Sequence, residues 1–394
     1  MFQLNKEDLE NFLYKTQKDL NDKVFNNVYN FLRENPRARK TLNPAFPFPQ
    51  KVRLGILNNY FAVEYIGPNK DDEDGFETTI LYDPRIDLYE FLEIDLSHLR
   101  LNKIPYSESF ENMNMFFGES IDYLTDYFYD FTQWKENFSL NGLIDISVSN
   151  KPVVLNNCSF FWTDSVGGLK IRHIDLLELF PYEDGNLVYH SDESFTYFSN
   201  YIVQNPVPIY DVEIHKTLNK FIELINLKDT TEPNITDYLA NNPKILQIAF
   251  GIYDLNPQID LIWQYNPNLR KNLKPDFLPK RMDGFCDIME FKLPNLKSAP
   301  IVGSDNRREP SHEIDKAIAQ VDEYDEWFEQ QNNRDWLLKE KGINIHKPVR
   351  YIIMGHSKDF LPEDRQRLRN KRNTIFFTYD EFIEAARYQI YRIR

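Results

Sequence analysis

Between Leu273 and Pro294 the chain reads LKPDFLPKRMDGFCDIMEFKLP, and this stretch holds three residues, Asp276, Glu290 and Lys292, whose types and spacing could do chemistry together. Two carboxylates about 5 Å apart across a strand pair repel each other unless a cation lies between them. Oxygen ligands select a hard ion such as Mg²⁺ or Mn²⁺. Such an ion would bind a phosphate oxygen, acidify its own water and stabilise the transition state of phosphodiester hydrolysis. Lys292, two residues beyond Glu290, would orient or deprotonate that water, or neutralise charge developing on the phosphate. An E-x-K triplet alone is a common surface ion pair. Pro275-Asp276 at hairpin register, the apolar flanks and a helix to follow are what make it a site, with Asp276 and Glu290 as metal ligands and Lys292 as the catalytic base or neutralising cation.

These side chains must be positioned by a hairpin. Two strand-like runs, Asn272 to Arg281 and Phe285 to Leu293, flank Met282-Asp283-Gly284, where Gly284 can supply the positive φ of a tight loop. A loop centred on Asp283 sets Asp276 opposite Glu290. Side chains alternate along a strand, so Glu290 and Lys292 share one face while Met289, Phe291 and Leu293 share the other. Phe277, Ile288, Met289, Phe291 and Leu293 make the pair apolar enough to be central and buried, where charges are rarely found unless paired or bound to a metal. Beyond it, Ser311 is a plausible cap for a helix whose Ile314, Ala317, Ile318, Val321 and Tyr324 form one apolar stripe. Gln320 lies at the stripe's edge, either as a surface glutamine or as a group reaching the site. The intervening loop, Lys297 to Ser311, is read as a flap over bound DNA or as a passive connector.

With Pro275, Asp276, Glu290, Phe291 and Lys292 filling its signature, the chain resembles the PD-(D/E)xK nuclease superfamily, and more narrowly the Shedu family of anti-phage defence nucleases. The likeness covers roughly residues 216 to 394. It takes in NITDYLANNPKIL (Asn234 to Leu246) as an opening helix, the Gln320 helix, and YIIMGH (Tyr351 to His356) and TYDEFIEAA (Thr378 to Ala386) as a closing strand and helix. The resemblance implies an α/β/α restriction-endonuclease-like nuclease domain with a mixed sheet, metal-dependent cleavage of foreign DNA in bacterial defence, and a homo-oligomer, dimer or tetramer. It also implies an assisting role for Gln320 and a further acidic metal ligand from the first helix, for which Glu232 and Asp237 are the candidates.

Along the rest of the chain, residues 1–207 read as an α+β domain for regulation, recognition or assembly, and residues 208–394 as the nuclease domain. The front half is expected to hold a helix from Asn5 to Asn35, strands at Val52 to Ile66, Phe76 to Tyr82, Gly142 to Val148, Val153 to Trp162 and Leu169 to Ile171, and a helix near Ile121 to Trp134. His98, His173 and His190 have no metal-ligand spacing and read as ordinary core or surface residues. In the second domain helices are expected near His215 to Leu227 and Asn234 to Leu246, and strands near Ala249 to Tyr253 and Leu261 to Tyr265 ahead of the hairpin. The strand Arg350 to Met354, the helix Pro362 to Lys371, the strand Thr374 to Thr378 and a last helix from Asp380 follow the Gln320 helix.

The 394 residues carry a formal net charge of −15, unfavourable for a nucleic-acid partner at first sight. Residues 270–394, however, hold 24 Lys and Arg against 21 Asp and Glu, so the field there can be positive. Phosphate contacts are expected from Lys280, Arg281, Lys297, Arg307 and Arg308, each of which could equally be a solvated face, as could the run Arg365 to Arg372. The absence of a long apolar run and of a signal-like start, with two cysteines and no disulfide framework, reads as cytoplasmic with no membrane partner. A non-cleaving DNA-binding or assembly module and a repair or resolvase nuclease are the competing readings.

Overall fold

The computed structural model describes residues 6–19, 22, 26, 30, 34, 49–57, 60–68, 77–81, 88–94, 102–105, 137–140, 142–145, 153–163, 168–183, 186–187 and 212–390, the last span apart from 266–269, 304–307, 362, 367 and 369–373. Two compact units emerge, one built on the described residues up to Lys216 and the other on Thr217–Ile390.

The first unit is organised by strands rich in aliphatic and aromatic residues. β1 (Pro49–Leu57) and β2 (Tyr60–Pro68) form an antiparallel hairpin that sets Val52 beside Tyr65 and Leu54 beside Val63, all four buried. The single run expected over Val52 to Ile66 is therefore two antiparallel strands. β3 (Glu77–Leu81), β4 (Asn102–Pro105), β5 (Asn137–Leu140), β6 (Gly142–Asp145), β7 (Val153–Thr163), β8 (Leu169–Glu183) and β9 (Asn186–Leu187) follow. The main sheet runs β3-β1-β2-β8-β7-β5 with β9 on β8, while β4 and β6 pair separately. β8 was expected to end at Ile171. It continues to Glu183 because its charged residues, Asp175 and Glu178, are buried with partners. Asp175 accepts from the Gly67 N–H at 2.8 Å and Glu178 from the Tyr65 hydroxyl at 2.9 Å. The helix Lys6–Asp19 lies within the first expected helix, and the one expected at Ile121 to Trp134 lies outside the described residues.

His173 is a core residue, as expected. It faces Ser159 across the β7–β8 pair, with Ser159 Oγ 2.9 Å from its Nδ1 and Asp175 Oδ1 3.6 Å from its Nε2. The trio has the composition of a hydrolase triad, but none of the three is more than 6 % exposed, so no substrate reaches it.

The second unit is a five-stranded mixed sheet: β10 (Asp254–Pro257), β11 (Phe277–Lys280), β12 (Ile288–Phe291), β15 (Arg350–Ile353) and β16 (Thr374–Phe377), in that order. β10–β11 and β11–β12 are antiparallel; β12–β15 and β15–β16 are parallel. β13 (Ile301–Val302) and β14 (Glu309–Pro310) pair within the loop after Lys292. Alternation splits the sheet's side chains between two layers. Leu278, Ile288, Ile352 and Phe376 share a core with Ile314, Ala317, Ile318, Val321 and Tyr324 of the helix His312–Glu329. On the opposite face Phe291 meets Phe277, Tyr379 and Phe382, and Phe250 meets Tyr351, Phe377 and Phe382. Helices thus cover both faces, which is why the central strands tolerate near-continuous apolar sequence.

Local sequence explains where the expected elements shift. The opening helix is two, Glu232–Asn241 and Lys244–Phe250, because Pro243 supplies no N–H to continue the first. Ala249 and Phe250, expected in a strand, end the second helix, which Gly251 terminates at φ +65°. The strand expected at Leu261 to Tyr265 reduces to a single bridge between Leu261 and Leu273. A further helix, Gln331–Lys341, was not expected, having a weakly apolar sequence.

Candidate functional site

The hairpin register is the expected one: Phe277 pairs with Met289, Lys280 bridges Cys286, and Gly284 turns the loop at φ +88°. The regular ladder stops at Phe277, and side chains take over one residue further out. Asp276 Oδ2 accepts the Phe291 N–H at 2.8 Å, and the Asp276 N–H points at Glu290 Oε2 at 3.4 Å. Each carboxylate is therefore tied to the opposite strand's backbone or to the residue beside it, which fixes both at the end of the central pair. Lys292 continues the line of β12, donating its N–H to Ile353 O, while its own carbonyl accepts the Tyr379 hydroxyl at 2.6 Å.

Around Glu290 the polar groups converge. Lys292 Nζ lies 2.9 Å from Glu290 Oε1 and 3.2 Å from Glu232 Oε2. Gln320 Nε2 donates to the same Glu290 Oε1 at 2.6 Å and also lies 2.7 Å from the Tyr324 hydroxyl, which in turn donates to Lys274 O at 3.2 Å. Gln320 is thus half-buried and bonded to Glu290 and Tyr324. Tyr324, read from sequence as part of an apolar stripe, is a second polar member; its place four residues after Gln320 is the signal that could have found it.

Burial and mutual repulsion dominate the electrostatics. Asp276 is pushed up to about 8, first by burial and then by the Glu290 charge, against the Phe291 N–H and Lys292. Burial also raises Glu290, with Lys292 opposing it. Burial works against the Lys292 charge, but Glu290, Glu232 and Asp276 outweigh it and hold the ammonium cationic above its usual range. Burial and the Glu290 charge thus favour the protonated form of Asp276.

The group opens on a cleft of about 610 Å³ whose walls include Glu232, Thr236, Gln258, Lys297, His312 and Lys316 as well as the central residues. Of the two first-helix candidates, Glu232 belongs to it, at the helix start capped by Thr231. Asp237 is exposed, does not line the cleft and sits 3.5 Å from the Gln258 amide. Among the expected phosphate contacts, Lys297 lines the cleft. Lys280 and Arg281 do not, and Arg281 pairs with Asp283 and Asp287. Arg308 pairs with the buried Asp364, and Arg307 lies outside the described residues. Cys286 is buried and its thiol is pushed up to about 11 by burial, which makes it a packing residue and no nucleophile.

The donor set suits a hard divalent ion: two buried carboxylates whose repulsion a cation would relieve. Among the described residues no cluster of three or more His, Cys, Asp or Glu side chains is arranged around a metal position, and Glu232 faces Lys292 instead. Two carboxylates with the remaining positions left to water and phosphate oxygens is the pattern Mg²⁺ accepts.

What the fold and the site define is a mixed-sheet α/β domain with a carboxylate–carboxylate–lysine centre at the end of its middle strands. Residues 229–383, which contain that centre, match the family model described as Shedu protein SduA, C-terminal. Over this segment the chain is similar to the Shedu family. No curated protein gives a significant match. Among the described residues no helix is long and apolar enough to cross a membrane.

Proposed function

We propose that this protein is a divalent-metal-dependent DNA endonuclease of the PD-(D/E)xK type that acts in bacterial defence against phage. The observation that carries the reading is the convergence of Asp276, Glu290 and Lys292 at the end of the central hairpin, inside a cleft. A divalent ion held by Asp276 and Glu290 would supply charge neutralisation at the phosphate and an acidified water. The residues prepare the rest. Glu290 is kept in one rotamer by Lys292 and Gln320, and Gln320 is kept in place by Tyr324. Lys292, cationic and half-enclosed, stands where it can orient the attacking water or balance charge growing on the phosphate.

Supercoiled, linear and single-stranded DNA incubated with the protein in Mg²⁺ and in chelator tests this directly. Cleavage is expected only with the ion; cleavage that persists in chelator, or none in Mg²⁺ or Mn²⁺, discards the reading. Gln320→Leu removes the amide while keeping size and helix propensity. It is expected to lower kcat about tenfold to a hundredfold while changing DNA affinity little, because it acts through Glu290. A loss of affinity with unchanged kcat would place Gln320 on the substrate instead.

A further inference from the structure

The cleft is asymmetric in charge. Its floor carries Asp276, Glu290 and Glu232, with Lys292 set among them. One wall is different. His312, Lys316 and Gln320 stand at intervals of four residues on the helix His312–Glu329, so they form one stripe rising roughly 6 Å per step from the carboxylates toward the helix's N-terminal end. Lys297 lines the same cleft beside Glu313, an acidic residue of this wall, to whose Oε2 its N–H donates at 3.1 Å.

These basic groups are uncommitted. Among the described residues no carboxylate lies within ion-pair distance of the Lys297 or Lys316 ammonium or of the His312 ring. Four arginines of the domain contrast with them: Arg270, Arg281, Arg308 and Arg350 each hold a carboxylate. Exposed positive charges that face a cleft, beside the positive end of a long helix dipole, favour an anion there. The acidic floor needs one brought in against its own field.

The geometry points to a backbone track: Lys316, His312 and Lys297 hold the phosphates that flank the scissile one, so that a DNA strand enters along the N-terminal half of this helix and meets the carboxylates at Gln320. This rests on the nuclease reading, since it gives that site its substrate orientation. The step between successive side chains is of the same order as that between consecutive phosphates of one strand. Lys316, His312 and Lys297 are then positioning residues for the substrate. They set which phosphate lies over Asp276 and Glu290 and take no part in the bond cleavage.

The test uses the full chain in chelator with a short fluorescent DNA single strand and its duplex, and reads affinity across a salt series. Lys316→Gln and Lys297→Gln keep the side-chain stem and remove the charge. Each is expected to weaken binding roughly threefold to tenfold and to reduce the salt slope by about 0.7 for the single strand and about 0.9 for the duplex. Lys316→Arg should restore both, and Lys339→Gln, an exposed lysine outside the cleft, should change neither. Unchanged affinity and slope in the Lys297/Lys316 double variant, an equal effect of Lys339→Gln, or no DNA binding by the wild type overturns the track. A wild type that binds with these slopes but cleaves nothing in Mg²⁺ or Mn²⁺ sinks the nuclease reading and leaves the track standing. Metal-dependent cleavage with unaltered slopes does the reverse.

Discussion

Lys292→Ala is expected to reduce metal-dependent DNA cleavage by about 10²- to 10⁴-fold, the range for losing a positioned proton-transfer or charge-stabilising group. Its affinity for DNA should change far less. The structure gives two reasons for the size of the effect. Lys292 Nζ is the positive group that faces Glu290 Oε1 and Glu232 Oε2 at once, so its removal leaves Glu232, Asp276 and Glu290 with no ammonium among them. It also removes one of the two side-chain donors to Glu290, leaving the Gln320 amide and the long contact from the Asp276 N–H. With the opposing lysine charge gone, both carboxylates bind protons more tightly, so any residual activity should move to higher pH. Lys292→Arg keeps the charge as a larger planar fork, restoring the ion pair more fully than the rate. Plasmid nicking rates at saturating protein, set beside fluorescence anisotropy with the same DNA, separate the two effects. Full activity in both Lys292→Ala and Glu290→Ala would remove the site from consideration.

The legible part of this site was legible because strand alternation and hairpin register are local. Once the loop is centred near Asp283, the pairing of Phe277 with Met289 and the shared face of Glu290 and Lys292 follow from period two alone. The Gln320 helix was legible through its stripe and its Ser311 cap, which accepts from the Ile314 N–H. The failures have physical causes too. Ala249 and Phe250 belong to a short apolar run that fits either a strand or the end of a buried helix, and periodicity cannot separate these. The choice between Glu232 and Asp237 turned on where the helix begins. It starts at Glu232 behind the Thr231 cap, which puts Glu232 beside β12 and turns Asp237 to solvent. Arg281 and Arg308 read as phosphate contacts because their neighbours in sequence are basic. In this structure Arg308 pairs with Asp364, a partner too distant in sequence for any local pattern to reveal. Lys316 and His312 escaped notice for the opposite reason, since an exposed lysine and histidine on a helix carry no signal until Gln320 is known to touch the carboxylates.

Asp276→Asn is expected to stabilise the metal-free protein at pH 8 while abolishing its stabilisation by Mg²⁺. The carboxyl of Asp276 is raised from the usual aspartate range to about 8 by burial and by Glu290. Between roughly pH 4, where it titrates in the unfolded chain, and pH 8, the folded state holds a proton that the unfolded state has lost. Its contribution is therefore complete below the unfolded value and is lost as pH rises through that window. Asparagine has no proton to lose and keeps an oxygen to accept the Phe291 N–H, so the variant should escape the decline, by an amount of up to about 5 kcal/mol at pH 8. At pH 5 the gap should shrink to about 1–2 kcal/mol. A divalent ion reverses the ranking, because it favours the ionised pair and stabilises only the folded state, raising wild-type stability at pH 8 more than at pH 5. Denaturant unfolding of wild type and Asp276→Asn at both pH values, with Mg²⁺ and with chelator, measures all of this. A wild type no less stable than Asp276→Asn in chelator at pH 8 would mean that Asp276 is already ionised and that the carboxylates do not need a metal to coexist. Stabilisation of Asp276→Asn by Mg²⁺ as large as that of wild type would place the ion elsewhere. The expected result ties stability to function through one cause: the buried like charges that make the metal-free fold less stable at neutral pH are the ones that give a divalent ion its reason to bind.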